Sequence, residues 1–325
     1  MITRRAMLVA LGASALASPF SSLAQTKVWR IGFISTRAES GVNEEVFRQG
    51  LREFGYVEGQ NIAIEWRFSA GMVDRYPGFA VELVRLRVDC MVTHGLGASL
   101  AAKLATPAIP IVMVNVNDDP VRRGLIGSLA RPGANVTGFV VLGPELAGKR
   151  LQLLKEMLPN ASRMAILWDR NAPASVGHVK EAEAAARVLG VQLQSLDVGD
   201  EKGLENAFQV AGNGRAQALV VVGTGFFNTH SARIANLAAK ARLPAIGTGS
   251  PFMLAGGLMS YAADAVEQFR GAATYVDKIL KGAKPADLPV QQPTKFEFLI
   301  NLKTAKALGI TIPNSVLVQA TKVIQ

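Results

Sequence analysis

The apolar and polar positions follow two different periods from Val28 onward. The run Val28–Ile34 is apolar and rich in branched side chains, which predicts a buried strand. A polar loop follows, and from Glu44 to Phe54 the apolar residues fall on one face of a helix. Alternation over Ile62–Trp66 predicts a second strand. This β–loop–α–β unit makes the strands parallel and puts its first loop at a carboxyl strand end, where open α/β sheets bind ligands.

Strand and helix patterns go on alternating along the rest of the chain. The first series closes with a strand over Val136–Leu142, and a second series of similar size restarts with a helix over Glu145–Leu158. Two successive series predict an α/β protein with two doubly wound parallel-sheet lobes. A helix over Ala265–Lys281 and a strand over Phe296–Asn301 end the pattern, and periodicity alone lets either belong to either lobe.

The first residues have the pattern of an export signal. Arg4 and Arg5 form a charged region, Ala6–Ala17 an apolar region, and Ser22–Ala24 a small-x-small cleavage site. The apolar stretch is too short to span a bilayer. We therefore predict a signal peptide over residues 1–24 and a periplasmic location, reached by the Sec route or by the twin-arginine route that Arg4 and Arg5 resemble.

The composition of the chain excludes some kinds of cross-link and binding partner. The chain has 325 residues, 49% of them hydrophobic, so it can bury a large core. Cys90 is the only cysteine, which excludes an intramolecular disulfide and a thiolate metal cluster. The formal net charge is +10, but no basic stripe with interleaved aromatic residues occurs, so no nucleic-acid partner is predicted.

Motifs for catalysis are incomplete. Gly143–Arg150 has the glycines and lysine of a phosphate loop but ends in Arg150, where Ser or Thr would hold magnesium. Gly95-Leu96-Gly97 lacks the third glycine of a dinucleotide-binding turn. His94, His178 and His230 are far apart and have no partners at metal-ligand spacing. We predict that the protein is not an enzyme and uses no cofactor and no metal.

Polar and aromatic residues instead cluster at predicted strand ends, which a doubly wound fold would direct at one cleft. Hydroxyls and helix N-termini can bind a carboxylate, an Asp can pair with an ammonium, and aromatic rings can cover an apolar side chain. This mixture suits a small zwitterion. The predicted ligand-binding residues are Ser35, Thr36, His94, Gly95, Leu96, Asn117, Asp118, Asp169, Asn171, Thr224, Gly225, Phe226, Phe227, Ser250, Tyr261 and Asp264.

Several segments together resemble the substrate-binding proteins of ABC transporters, in the type I periplasmic branch that includes tryptophan- and tyrosine-binding members. They are Phe47–Glu53, Gly55–Asn61, Ile109–Val112, Gly133–Gly138, Lys149–Glu156 and Leu302–Gly309. The resemblance implies two discontinuous lobes joined by a three-segment hinge. It implies a first lobe of residues 25–140 plus about 262–283, and a second of residues 141–261 plus about 284–325.

The function expected from this resemblance is binding of an amino acid or related small organic acid in the cleft and delivery to an ABC permease in the inner membrane, by a monomer. The loops Arg37–Ser40 and Gly225–Phe227 differ from those of known aromatic amino-acid binders, so tryptophan or tyrosine is not singled out. Two alternatives stay open, an exported α/β enzyme and the ligand-sensing domain of a signalling system. A transcription regulator would also need a DNA-binding domain ahead of Val28.

Overall fold

The computed structural model describes residues 27–141 and 143–325, so the predicted signal peptide lies outside the described residues. Two sheets organise this part of the chain. The first has five parallel strands in the order β2-β1-β3-β4-β5. Its strands are β1 (Trp29–Ser35), β2 (Ile62–Phe68), β3 (Cys90–His94), β4 (Ile111–Val116) and β5 (Val136–Val140).

The second sheet has seven strands in the order β12-β11-β10-β9-β8-β6-β7. All its neighbours pair in parallel except β10 and β11, which are antiparallel. Its strands are β6 (Arg163–Asp169), β7 (Gln192–Val198), β8 (Leu219–Val221), β9 (Ala245–Gly247), β10 (Met259–Ala263), β11 (Phe296–Asn301) and β12 (Lys322–Ile324). The predicted pair of parallel-sheet lobes is thus confirmed.

Helices connect the strands of both sheets. They are α1 (Val42–Glu53), α2 (Tyr76–Arg85), α3 (Leu96–Ala105), α4 (Gly143–Met157), α5 (Ser175–Val188), α6 (Glu201–Asn213), α7 (Gly225–Thr229), α8 (Ser231–Lys240), α9 (Gly249–Leu254), α10 (Ala265–Leu280), α11 (Leu302–Leu308) and α12 (Asn314–Leu317). Within the described ranges, no helix has the length and apolar character needed to cross a membrane.

Helix α10 packs in the first lobe although the strand before it, β10, belongs to the second sheet. Phe269 and Val276 of α10 are fully buried in one cluster with Phe33 and Phe47. The rings of Phe33 and Phe269 stack with their centroids 6.3 Å apart. Because these are large side chains with no exposed area, burial of apolar surface fixes the helix against the first sheet.

The segment before β11 stays in contact with the first lobe. Val290 is buried in the core of the first lobe, and its N–H donates to the Leu129 carbonyl. Gln291 forms an isolated parallel bridge with Phe139 of β5. These contacts favour a crossing between Gln291 and the start of β11, rather than at about residue 284.

Strand β4 contains an irregularity that matters for the cleft. β4 continues to Val116, with a register shift between Met113 and Val116. Asn115 there adopts a positive φ of 53°, and its N–H donates to Oε1 of Gln268 on α10. The bulge lets Asn115 line the space between the lobes while both its neighbours stay buried.

Candidate ligand-binding cleft

A cleft of about 640 Å³ separates the two lobes at the carboxyl ends of their parallel strands. Its wall includes the N-terminus of α3 from the first lobe and the loops after β6, β8 and β9 from the second. This volume lies in the range of small-molecule sites. Most of the predicted strand-end residues line it, namely Thr36, His94, Gly95, Leu96, Asn117, Asp169, Thr224, Gly225, Ser250 and Asp264.

Three predicted polar residues lie outside the cleft wall because protein groups already bind them. Ser35 is fully buried, and its hydroxyl donates to Glu44 Oε1 at 2.7 Å. Asp118 accepts from the guanidinium groups of Arg122 and Arg123, at 2.8 and 2.6 Å. The Asn171 side chain donates to the Gly199 carbonyl at 2.7 Å.

The predicted aromatic cover is also absent from the cleft wall. Phe227 is 2% exposed and belongs to the core of the second lobe. Phe226 packs on His230 with ring centroids 4.3 Å apart. Tyr261 stacks on Phe296, while its strand neighbours Ala262 and Ala263 line the cleft. These rings pack within the second lobe, so none of them lines the cleft in this structure.

A hydrogen-bonded chain of three side chains forms part of the first-lobe wall. Asn115 Nδ2 donates to His94 Nε2 at 3.2 Å, so this nitrogen accepts, and His94 Nδ1–H donates to Thr36 Oγ1 at 3.2 Å. The ring of His94 also meets Phe269 edge-on at 5.2 Å. Burial lowers the pKa of His94 to about 4, so the imidazole is neutral at pH 7.

His178 links the two lobes. It lies on α5, and its Nε2–H donates to the Asn117 carbonyl of the first lobe at 3.1 Å. Its Nδ1 is therefore an acceptor, and this buried atom has no hydrogen-bond partner. Burial, followed by the nearby charge of Arg150, lowers the pKa of His178 to about 4.

Acid should destabilise the protein through these histidines. The folded-state pKa of about 4 lies below the ordinary value of 6.5, so the unfolded chain binds protons that the folded chain refuses. Stability is full above pH 6.5 and is lost as the pH falls toward 4, by up to about 1.4 kcal/mol per pH unit for each histidine. Urea unfolding at several pH values should show this slope, and His178→Gln, which keeps a donor for Asn117, should flatten it. An equal slope in the variant would contradict the assignment.

The cleft has two strongly buried charges of opposite sign. Arg150 on α4 is 3% exposed, and its Nε donates to the Tyr261 carbonyl at 2.8 Å. Burial lowers its pKa to about 10. Asp169, at the end of β6, is 2% exposed and accepts from the Asn171 N–H at 2.9 Å. Burial raises the pKa of Asp169 despite these hydrogen bonds.

Sequence reasoning missed Arg150, Tyr76 and His178 as cleft residues. For Arg150 a signal was present. It follows Leu146 by four residues and precedes Leu153 and Met157 by three and seven, so the arginine lies on the apolar stripe of α4, and all these positions are buried. A cation on a buried stripe has either a partner or a function.

The lobes touch directly across the mouth of the cleft. A β-carbon placed on Gly225 would lie 2.9 Å from Thr36 Cβ, and one placed on Gly71 would lie 2.5 Å from the Phe226 nitrogen. Asn117 Nδ2 donates to the Gly223 carbonyl at 3.2 Å. Backbone from the two lobes is thus in van der Waals contact at Gly71 and Gly225, and a larger side chain at position 225 would not fit.

Among residues 27–141 and 143–325, no group of three or more His, Cys, Asp or Glu side chains is placed to hold a metal ion. The cleft histidines bond to Thr36, Asn115 and Asn117 instead. The two lobes with a polar cleft between them define a two-lobed binding protein.

Comparison with known proteins gives the family. Residues 34–324 match the family model described as ABC transporter substrate binding protein, and the chain belongs to this family. Members bind small solutes and deliver them to ABC permeases, so the resemblance seen in the sequence and the prediction of a non-enzyme are both confirmed.

Individual relatives support the same family. A tyrosine-binding protein of Clostridioides difficile is 25% identical over 272 residues, which cover 81% of this chain and 75% of that protein. A conserved domain protein of Vibrio cholerae superposes with a TM-score of 0.83 at 26% identity, over 91% of this chain and 100% of the other. An ABC domain from Streptococcus pneumonia in complex with L-Trp gives 0.82 at 27% identity, over 91% and 99%.

Proposed function

We propose that the protein is the periplasmic substrate-binding component of an ABC importer and that it binds an amino acid or a related small organic acid in the cleft. The observation that carries this proposal is the composition of the cleft wall. Both lobes supply polar groups to it, Thr36 and His94 on one side and Asp169 and Thr224 on the other. Relatives that bind tyrosine and L-Trp support the amino-acid class.

The mechanism we propose is closure of the lobes around the solute. A solute that contacts both walls gains its full binding energy only when they are closed, so it shifts the population toward the closed state that a permease recognises. The segments between β5 and α4, between β10 and α10, and from Gln291 to β11 would serve as the hinge. The first lobe would then comprise β1–β5 and α10, and the second the remaining elements from α4 onward.

Location and partners follow from the same proposal. Residues 1–24 would be removed on export, leaving a monomer in the periplasm that meets a permease of the inner membrane. Substrate-binding proteins of ABC transporters are typically periplasmic or extracellular. Basic residues are scattered over the surface and often paired with acids, as Arg48 is with Glu45 and Glu58, so we propose no nucleic-acid partner.

A thermal-shift screen of the purified protein tests the proposal. The panel contains amino acids, small aromatic and aliphatic acids, sugars and nucleosides. A solute at 100 times its dissociation constant adds about 2.7 kcal/mol to the free energy of unfolding, which raises the melting temperature by several degrees. A shift with amino acids or organic acids supports the proposal, and no shift across the panel removes its support.

Asp264 has two candidate roles, ligand binding and helix capping, and one variant can separate them. The sequence suggested an ammonium partner, but Asp264 Oδ1 also caps α10 by accepting from the Val266 N–H at 2.8 Å. Asp264→Ser keeps a capping oxygen and removes the charge. We expect unchanged stability together with a loss of roughly 2–5 kcal/mol in affinity for an amino acid, measured by calorimetry. Unchanged affinity would remove Asp264 from the site and leave it as a cap, worth about 1 kcal/mol of stability.

A further inference from the structure

Arg150 is a buried cation that the described protein groups do not neutralise. It is 3% exposed, and its Nε donates to a neutral backbone oxygen, the Tyr261 carbonyl. One terminal nitrogen, Nη1, is buried and has no hydrogen-bond partner. Across the described ranges no carboxylate lies within 4.0 Å of the guanidinium, whereas the other cleft arginine, Arg37, pairs with Glu44.

This arrangement is unfavourable for the protein alone. When a charged group is buried, an opposite charge and a full set of hydrogen bonds are needed to offset the free energy of hydration that it loses. Arg150 has one hydrogen bond to a carbonyl and no counter-charge. Its side chain lines the cleft, so the missing anion can be supplied there by a ligand.

We propose that Arg150 binds the carboxylate of the solute and makes the cleft selective for carboxylic acids over neutral solutes. This inference rests on the proposed function, because it assumes that a small solute occupies the cleft. A planar guanidinium donates to a carboxylate through paired N–H groups. Asp169, Asp264 and Glu297 also line the cleft and would repel a dianion, so a single carboxylate fits better than a phosphate.

Pairs of acids and their amides test the selectivity. L-tyrosine against L-tyrosinamide, L-tryptophan against L-tryptophanamide, and phenylacetate against phenylacetamide differ only in the group that Arg150 would bind. We expect the acids of a binding pair to bind at least about 30-fold more tightly than the amides. Arg150→Met should remove this preference, and Arg150→Lys should retain part of it. Lys149→Met, one residue away on the same helix and outside the cleft wall, is the matched control and should retain all of it.

The ligand-free protein supplies a second measurement. If Arg150 is an uncompensated charge, Arg150→Met should melt at or above the temperature of the unaltered protein, because an apolar side chain of similar length fits the buried site better. Melting several degrees lower would overturn the proposal, since Arg150 would then hold the fold together.

The outcomes separate this inference from the proposed function. Binding of sugars or nucleosides with no response to acids would keep a solute-binding protein and overturn the role of Arg150. Equal binding of acid and amide would do the same. If no solute binds, the proposed function loses its support, and the melting temperature of ligand-free Arg150→Met still decides whether Arg150 is a structural residue.

Discussion

Gly225→Ala is expected to weaken solute binding by at least about fivefold, and up to about 100-fold, while the ligand-free protein melts within a degree of the unaltered one. The added methyl group would lie 2.9 Å from Thr36 Cβ and 3.2 Å from Gly71 Cα, both in the opposite lobe. Overpacking of this kind costs about 1–3 kcal/mol. Under the proposed closure mechanism it destabilises only the closed arrangement, because the ligand-free protein can relieve the contact by opening. Calorimetry with a solute from the thermal-shift panel measures the loss.

Two variants keep this result interpretable. Thr36→Gly removes the nearest atom, so Gly225→Ala should weaken binding less in the Thr36→Gly background than it does in the unaltered protein. Gly212→Ala, on α6 where a β-carbon meets nothing within 4 Å, should leave binding unchanged. If Gly225→Ala bound the solute as tightly as the unaltered protein does, the contact between Thr36 and Gly225 would not be part of the bound state.

Phe269→Ala should lower the free energy of unfolding by about 3–5 kcal/mol, the usual result of emptying a buried aromatic site. Phe269 is fully buried between Phe33 and the ring of His94, at 6.3 and 5.2 Å between centroids. The side chain belongs to α10, which reaches the first lobe only after the chain has built most of the second sheet. The variant therefore measures how firmly that crossing segment is held, and urea unfolding gives the value.

The adjacent Arg270 is the control. Its side chain is 56% exposed and lies 3.6 Å from Glu53, so Arg270→Ala should change stability by no more than about 0.5 kcal/mol. A loss below about 1 kcal/mol in Phe269→Ala would mean that α10 contributes little to the core of the first lobe.

The repeated strand and helix periods were enough to predict both sheets apart from β12, because each buried strand is a run of apolar residues and each long helix has one apolar face. Helices α7, α9 and α12 and strand β12 were missed. They are three to six residues long, and at such lengths a period cannot be detected. The packing of α10 against the first lobe came from the family resemblance, since an amphipathic helix carries no information about which sheet it covers.

Strand ends located the cleft but not each residue in it. The rule placed Thr36, His94 and Asp169 in the cleft wall, because Thr36 directly follows β1 and the other two end β3 and β6. It failed for Asp118 and Tyr261, because neighbouring groups in the folded protein took up their polar or apolar surface. Such competition depends on contacts between distant segments, and no local pattern shows it.

Hydrogen exchange of the backbone, with and without the tightest-binding solute, tests the central claim most directly. We predict slower exchange at His94–Gly97 in the first lobe and at Thr224, Gly225 and Asn228 in the second, because these residues line the cleft. Exchange in α6, none of whose residues lines the cleft, should be unchanged. Protection confined to one lobe, or centred on segments outside the cleft, would contradict binding between the lobes.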